Sequence, residues 1–323
     1  MENEVLDYAV ADREALHALD SRLKTVLPEQ YQDCYEDLQP VSMGSAALKY
    51  RRDGRVAWDE IWGSFCDLAM AGGPPHKGAL LEPASSVEIE ASPQRYSEVV
   101  DEICRGVRMV TELAVNRSTV PGWIRVDCYS QSMAEWLVRA VVMENISARC
   151  EGTTIELPAG PAYRIEKEIK NVITAIAKTS HYWVEHMTPP QHQAISSLFL
   201  KLSAEFPLIQ PAYIGYDFDA VADRALFDEM AKTSYEQSGL KPSDRRYAGW
   251  LGVNCPSVRF AIWIMRALVV CNILARREGT TLFVPVSPRN DADGEIVVRC
   301  FTRLYHLALG EGVLEASQAE PPA

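Results

Sequence analysis

The sequence lacks the short motifs that identify the common metal, redox and nucleotide sites. Its eight cysteines, at positions 34, 66, 104, 128, 150, 255, 271 and 300, form no CxxC, CxC or Cys-His spacing, which disfavours a zinc site or a redox pair. Neither GxxxxGK[ST] nor GxGxxG occurs, so the sequence predicts no P-loop and no dinucleotide site. The cofactor is therefore unknown, and we expect reduced cysteines that pack as small hydrophobes.

A metal site is not predicted from the histidines either. Three of the six fall close together in the sequence, at His181, His186 and His192. They lack the i,i+4 spacing and the nearby Glu of a zinc-binding helix, and Pro189-Pro190 interrupts the segment between them. We therefore expect no resident metal.

Positive charge is also in short supply. The formal net charge is −12, and paired basic residues such as Arg51-Arg52 are short and scattered. A protein that neutralises nucleic-acid phosphates needs a basic face, so we expect no nucleic-acid partner. The 47% apolar and 24% charged content is typical of a globular protein.

Targeting and membrane signals are missing as well. The first residues, MENEVLDYAV, contain no basic region followed by an apolar one, so no secretory signal is predicted and we expect a cytoplasmic protein. The longest apolar segment, Phe260–Ala275, is shorter than the ~20 residues of a spanning helix and contains Arg266. It predicts a buried helix, and we expect no membrane partner.

What the sequence does contain is an internal repeat. The 37 residues Gly122–Pro158 align without a gap to Gly249–Pro285 at a constant offset of 127, and 19 positions are identical. The identities include both tryptophans and the run EGTT in each copy. The alignment indicates a tandem duplication that covers about Val87–Trp183 against Ile214–Gly310.

Within each copy the predicted element order is β-α-β-α-β-β-α. The strands expected first are Val87–Ala91 in one copy and Ile214–Phe218 in the other. Later elements include a strand over Trp123–Cys128 in the first copy and a helix over Ala222–Ser238 in the second. Crossovers of the β-α-β type favour parallel neighbours, whereas the EGTT turn makes an antiparallel hairpin, so mixed sheets are predicted. The order is similar to the thioredoxin-like arrangement, and a permuted ferredoxin-like sheet fits nearly as well. We therefore predict an α/β protein with α+β mixed sheets; without CxxC, the similarity implies no redox function.

Four regions follow from this reading. Residues 1–58 form an N-terminal extension of one helix and one hairpin, whose turn is signalled by Asp53-Gly54. Residues 59–186 form the first α/β repeat, and residues 187–311 form the second. Residues 312–323 form a disordered tail, since the segment ends in AEPPA.

The loop AGGPPHKG, which ends at Gly78, is the most unusual segment of the chain. Its glycines allow close approach of the backbone, its prolines stiffen it, and a histidine and a lysine stand side by side on it. Freed backbone amides and Lys77 would hold a carboxylate or phosphate while His76 moves a proton. The alternative is a rigid connection with solvated side chains. Position 76 corresponds to Ser203 at the 127 offset, so such a site exists once.

Buried charge adds a second class of candidate. Arg139 and Arg266 lie within apolar helices, and a buried guanidinium needs an anion or several acceptors. Glu135, four residues before Arg139, can serve it, but the corresponding residue before Arg266 is Ile262. Arg266 must therefore contact another carboxylate, a group of carbonyls or a bound anion.

The helix predicted over Arg164–Trp183 differs between the copies. Lys170 and Asn171 correspond to Val297 and Val298, so the first copy is polar where the second is apolar. This asymmetry suggests a helix that lines a cleft, with an ordinary solvated face as the alternative. The predicted catalytic residue is His76, and the predicted ligand-binding residues are Gly72, Gly73, Lys77, Gly78, Lys170, Asn171 and Arg266.

Two classes of function remain open. One is an enzyme or cofactor-handling protein that acts on a small anionic metabolite at a cleft between the repeats, since small-molecule sites favour such interfaces. The other is a non-catalytic accessory or assembly protein whose pseudo-symmetric repeats provide a docking surface for a partner protein or a homo-oligomer. The second class predicts a contiguous exposed apolar patch.

Overall fold

The computed structural model describes residues 2–35, 47–60 and 67–310, with side chains from residue 12 onward. Contacts between Cα atoms divide the chain into two compact units. Unit N comprises Asp33–Ser196 and Tyr213–Phe218, and unit C comprises Met1–Gln32, Ser197–Ala212 and Asp219–Ala323. The tail predicted for 312–323 lies outside the described residues.

The described residues form nine α-helices and two small antiparallel sheets. The helices are α1 (Glu2–Val26), α2 (Ser86–Ala91), α3 (Pro93–Thr111), α4 (Gln131–Met143), α5 (Lys170–Glu185), α6 (Pro189–Glu205), α7 (Ala222–Ser238), α8 (Val258–Val269) and α9 (Glu295–Gly310). The strands are β1 (Ala114–Arg117), β2 (Trp123–Asp127), β3 (Arg149–Glu151), β4 (Thr154–Pro158), β5 (Trp250–Asn254), β6 (Arg276–Glu278) and β7 (Thr281–Pro285). The predicted α/β class is confirmed at this level.

Unit N is built on a four-stranded sheet in the order β1-β2-β4-β3, with every neighbour antiparallel. Strand β2 pairs with β4 so that Trp123 stands opposite Pro158 and Asp127 opposite Thr154. Helix α4 packs on β3 and β4, and α5 packs against both α3 and α4. Helices α3 and α5 approach closely at Gly106, where an added Cβ would lie 2.2 Å from Ile173 Cδ1.

Serine caps fix where two central helices begin. In unit N the Ser130 hydroxyl accepts a hydrogen bond from the Met133 amide (3.1 Å), and α4 starts at the next residue. In unit C the Ser257 hydroxyl accepts from the Phe260 amide (3.1 Å) at the start of α8. Such a cap satisfies one of the amides that a helix leaves without an internal partner.

Unit C has a three-stranded antiparallel sheet in the order β5-β7-β6. Helix α8 packs on β6 and β7, α9 packs against α7 and α8, and α1 contacts α8. The pairing of β5 with β7 places Trp250 opposite Pro285. Nearly all of α8 is buried, including Phe260, Ile264 and Met265, as expected for its apolar sequence.

Two predicted strands are wrong. Residues Val87–Ala91 belong to helix α2, because Ser85 and Glu88 form a reciprocal capping box that nucleates a helix there. Residues Ile214–Phe218 form a turn: the Tyr213 amide donates to the Asp217 carboxylate (2.9 Å), and the Tyr213 carbonyl accepts from three following amides. This turn packs within unit N, where Trp123 Nε1 donates to the Ile214 carbonyl (2.9 Å).

The predicted mixed sheets are also wrong for the named strands of the described residues, all of which pair antiparallel. Because the first expected strand is helical, the order in unit N is α-α-β-β-α-β-β-α, which differs from both proposed arrangements. Among the described residues, parallel pairing occurs only as isolated bridges, Leu81 with Ile146 and Ile209 with Ile273. The expected N-terminal turn is present: the Gly54 amide donates to the Arg51 carbonyl (3.0 Å).

The helices give one further negative result. In the part of the chain that the structure describes, no helix is both long enough and apolar enough to span a bilayer. Helix α8, the most apolar segment, has only 12 residues.

Candidate functional site

The glycine-proline loop of residues 72–78 lies in unit N and is held by the end of helix α4. Glu144, directly after α4, accepts hydrogen bonds from the Ala69 amide at Oε1 (3.0 Å) and the His76 amide at Oε2 (2.8 Å). Asn145 Nδ2 donates to the Lys77 carbonyl (2.8 Å), and the Lys77 amide donates to the Glu144 carbonyl (3.2 Å). Two consecutive residues thus fix both ends of the loop.

The same glutamate forms a buried ion pair. Lys178 Nζ, on α5, lies 2.8 Å from Glu144 Oε1, and the two side chains are 1% and 0% exposed. Lys178 also donates to the Asp67 carbonyl (3.4 Å). Burial of a charge is costly unless it is paired and hydrogen-bonded, and here the carboxylate receives an ammonium and two backbone amides.

Two of the loop glycines are required by geometry. Gly72 has φ of 106°, a left-handed conformation that side chains rarely adopt. An added Cβ on Gly73 would lie 2.3 Å from the Asp67 carbonyl oxygen. Gly78 is different, since it is exposed and a Cβ there would meet no atom within 4 Å. The first two glycines therefore shape the loop, and the third is not required sterically.

The His76 side chain, which belongs to the loop, is half-buried and is neutral at physiological pH. Burial, followed by the positive charges of Lys178 and Lys170, lowers the pKa of His76 to about 3. A general acid or base works best with a pKa near the operating pH. In the unliganded chain the imidazole is therefore equipped to donate or accept hydrogen bonds at neutral pH.

Further cations surround the loop. Lys170 is 8% exposed, and burial lowers its pKa. Burial also lowers the pKa of half-buried Lys77; Glu168 opposes this, whereas Arg164 and Lys167 add to it. These last three residues lie at or within a π-helical turn, Ile165–Ile169, that precedes α5. Turns of this type are frequent at functional sites.

The remaining predicted residues divide between the units. Asn171 is half-buried on α5 of unit N, next to Lys170. Arg266 belongs to α8 of unit C and is 6% exposed. Of the predicted residues, Lys170 is near enough to His76 to lower its pKa. His76 and Lys77 both donate backbone hydrogen bonds to Glu144.

The sequence reasoning missed Glu144 and Lys178. A signal for them was present in the aligned copies, where the 127 offset places Cys271 and Tyr305 at their positions. Both charges of the pair are absent together from the aligned segment. The joint absence of two opposite charges at aligned positions predicts that the two side chains touch.

The buried cysteines of the described residues offer no activated thiolate. All seven cysteines found there are free, and four of them are buried. Burial raises the pKa of Cys128, Cys150 and Cys255 to about 12. Since the thiolate is the nucleophile, these side chains pack as small hydrophobes, as expected.

Unit C contains an open groove of about 790 Å³ between α7 and α9. Its charged lining combines acidic and basic side chains, among them Glu229, Asp293, Glu295, Arg299, Arg303 and His306. The volume is that of a small-molecule site. Its charges are of both signs and are largely exposed, so the groove shows no preference for one class of ligand.

Comparison with protein-family models, with curated protein sequences and with solved structures found no match, so the functional argument rests on the chemistry of the side chains described above.

Proposed function

We propose that the chain binds a small anionic ligand at the cationic surface of unit N formed by the 72–78 loop and the beginning of α5. The supporting observation is the gathering of like charges on partly buried groups. Lys170 and Lys178 act on His76, and Arg164 and Lys167 act on Lys77. Two carboxylates balance part of this charge, since Glu144 pairs with Lys178 and Glu168 acts on Lys77. The positive charges repel one another, and an anion bound between them would reduce this repulsion.

The proposal assigns roles to the predicted residues. Lys77 and Lys170 contact the anion as charged donors, and Asn171 adds a neutral amide. Gly72 and Gly73 give the loop its shape, because the backbone at both positions excludes a side chain. Arg266 belongs to unit C, and the proposal assigns it no role.

His76 links binding to proton transfer. An anion close to the imidazole favours its charged form and raises its pKa from about 3 toward neutrality. The ligand itself would therefore bring the imidazole into the range where general acid-base chemistry is effective. This makes an enzyme or cofactor-handling protein the function that we favour, with His76 active only in the liganded state.

Inorganic phosphate is the probe that tests the proposal. Binding is measured by calorimetry, and the His76 ring signals are followed by NMR during the titration. We expect the His76 signals to shift as the ring gains a proton, and Lys77→Ala to weaken binding at least about tenfold, as loss of a charge-assisted contact of roughly 1.5–3 kcal/mol implies.

Lys201→Ala is the matched control, because Lys201 is an exposed lysine on α6. It should bind phosphate like the parent chain. Equal binding by the Lys77→Ala variant, or phosphate binding that leaves the His76 ring unchanged, would contradict the assignment. Citrate in a parallel titration separates a general preference for anions from a preference for phosphate.

We also infer that units N and C derive from one duplicated segment. Support comes from matching local geometry at the 127 offset. Asn145 and Asn272 have left-handed φ values of 61° and 64°, and each donates its side-chain amide to a backbone carbonyl. The tryptophans that open β2 and β5, Trp123 and Trp250, each stand opposite a proline. The cytoplasmic location stays a prediction from the sequence.

A further inference from the structure

Two histidines at the end of α5 in unit N point their ring nitrogens at each other. His181 lies in the last part of the helix, and His186 follows its final residue. Their Nε2 atoms are 3.2 Å apart, and the ring centroids are 5.0 Å apart at an angle of 74°. Both side chains are exposed, so water and ions reach them.

The separation of the two nitrogens matches a metal chelate. A Zn²⁺ ion binds imidazole nitrogen at about 2.0–2.1 Å, so two nitrogens at a tetrahedral angle on one ion lie about 3.4 Å apart. At a right angle, as in square-planar or octahedral sites, the same bond length gives about 2.9 Å. The observed distance of 3.2 Å falls between these values, so the two nitrogens are spaced as two ligands of one ion.

We propose that His181 and His186 form a two-nitrogen site for one late first-row divalent ion, such as Zn²⁺, Ni²⁺ or Cu²⁺, with water in the remaining positions. Without the ion, one Nε2–H donates to the other Nε2. When the ion binds, that ring carries its proton on Nδ1 instead, and both Nε2 lone pairs become ligands.

A neighbouring aromatic ring holds the two imidazoles in place. The buried Tyr182 ring contacts both imidazoles, with centroids 6.2 Å from His181 and 5.1 Å from His186. Tyr182 thus limits the motion of the two rings and reduces the entropy that binding must overcome.

The third histidine of this segment is excluded. His192 stacks on Trp183 with centroids 4.2 Å apart, and its Nε2 lies 2.9 Å from the Trp183 carbonyl. Over the described residues there is no group of three or more His, Cys, Asp or Glu side chains that could hold a metal. The proposed site is therefore open, with two protein ligands.

The test is calorimetric titration of the untagged full chain with NiCl₂ and ZnCl₂. Cys34→Ser serves as the background in every variant, because the Cys34 thiol is exposed and would bind zinc. We expect one site for each of these two ions, and a loss of at least about tenfold in affinity for His181→Ala and for His186→Ala. MgCl₂ should not bind, since Mg²⁺ prefers oxygen ligands.

The matched control is His17→Ala, an exposed histidine on α1, which should bind like the background chain. A second measurement needs no variant at either ligand: Ni²⁺ should broaden the ring signals of His181 and His186 far more than those of His192. The proposal is overturned if the background chain binds neither ion below about 1 mM, the weak end of specific binding. Equal affinity in the His186→Ala variant also overturns it.

Discussion

Replacing Lys178 with methionine should destabilise unit N strongly. The substitution keeps a long side chain in the core but removes the ammonium that lies 2.8 Å from Glu144 Oε1. Removing one partner of a buried pair leaves an uncompensated charge and typically costs about 3–5 kcal/mol. The Ala69 and His76 amides still donate to Glu144, so we expect the lower half of that range.

The reverse change, Glu144→Gln, should cost a similar amount for a different reason. The NH₂ group of the glutamine replaces one carboxylate oxygen and must face either the Lys178 ammonium or one of the two backbone amides. All of these groups are donors, so the NH₂ group finds no acceptor among them. The double variant removes both charges, so its loss of stability should be smaller than the sum of the single losses by about 2 kcal/mol, within the coupling range of contacting residues. A double variant whose loss of stability equals the sum of the two single losses would show that Glu144 and Lys178 do not interact.

Urea unfolding measures these losses, with the transition of unit N assigned by amide hydrogen exchange. The Ala69 and His76 amides should exchange faster in both single variants, because their acceptor becomes mobile. Arg125→Ala is the control: it breaks an exposed ion pair of unit N, 2.9 Å from Asp127, and should change stability by at most about 1 kcal/mol. A Lys178→Met variant as stable as this control would refute the reasoning.

Three further outcomes test the packing and charge of unit N. Gly106→Ala should lower the free energy of unfolding, measured in urea, by about 1–3 kcal/mol, because the added Cβ overlaps Ile173 Cδ1. Adding Ile173→Val to this variant should restore part of the loss. A Gly106→Ala variant of unchanged stability contradicts the close approach of the helices. Asn145→Ala should lose about 2–4 kcal/mol, because it combines left-handed strain with loss of a buried hydrogen bond, and Asn145→Gly should lose less. The pKa of His76 is lower in the folded chain (about 3) than its ordinary value of 6.5, so the unfolded chain binds the extra proton. Stability from neutral His76 is complete above about pH 6.5 and falls toward pH 3 by at most about 1.4 kcal/mol per pH unit. His76→Gln should flatten this dependence in unfolding curves between pH 7.5 and 5, and an unchanged slope contradicts the shift.

Local sequence signals were sufficient for the central elements of both units. The predicted strand Trp123–Cys128 corresponds to β2. The β3–β4 hairpin turns at Gly152-Thr153, within the EGTT run, and Gly152 has positive φ. Helix α7 has the predicted bounds, Ala222–Ser238. These signals are short-range: a capping serine, a glycine that accepts positive φ, and a run of apolar residues each act within a few positions.

The two wrong strands show a competition between local signals. The apolar residues of Val87–Ala91 suit a strand, but the Ser85 and Glu88 side chains satisfy the amides of a helix start. The hydrophobic pattern alone could not decide between strand and helix, because the segment is short. Five of the six residues of α2 are exposed, so burial of apolar side chains favours neither conformation. Side-chain hydrogen bonds to the backbone then decide the conformation.

The candidate site was predictable only in part, because its members are distant in sequence. Glycine, proline and histidine marked the 72–78 loop, since each has a local conformational effect. The partner that holds the loop, Glu144, is 68 positions from His76, and no local rule connects them. The alignment at the 127 offset was the one available signal. Cys271 and Tyr305 take the positions of Glu144 and Lys178, and the two differences had to be interpreted together.

That paired difference also indicates what the buried ion pair does. Unit C has the same sequence of cap, helix and hairpin around α8 that unit N has around α4, with Cys271 and Tyr305 at the positions of the charges. A fold of this type therefore forms without the ion pair, and a buried pair generally contributes little stability compared with apolar residues of similar size. What unit N has in addition is the 72–78 loop, whose amide at His76 and neighbouring turn at Ala69 both donate to Glu144. The charge pair is thus better explained by the conformation of the loop than by the stability of the core, and the loop carries the residues that we assign to ligand binding.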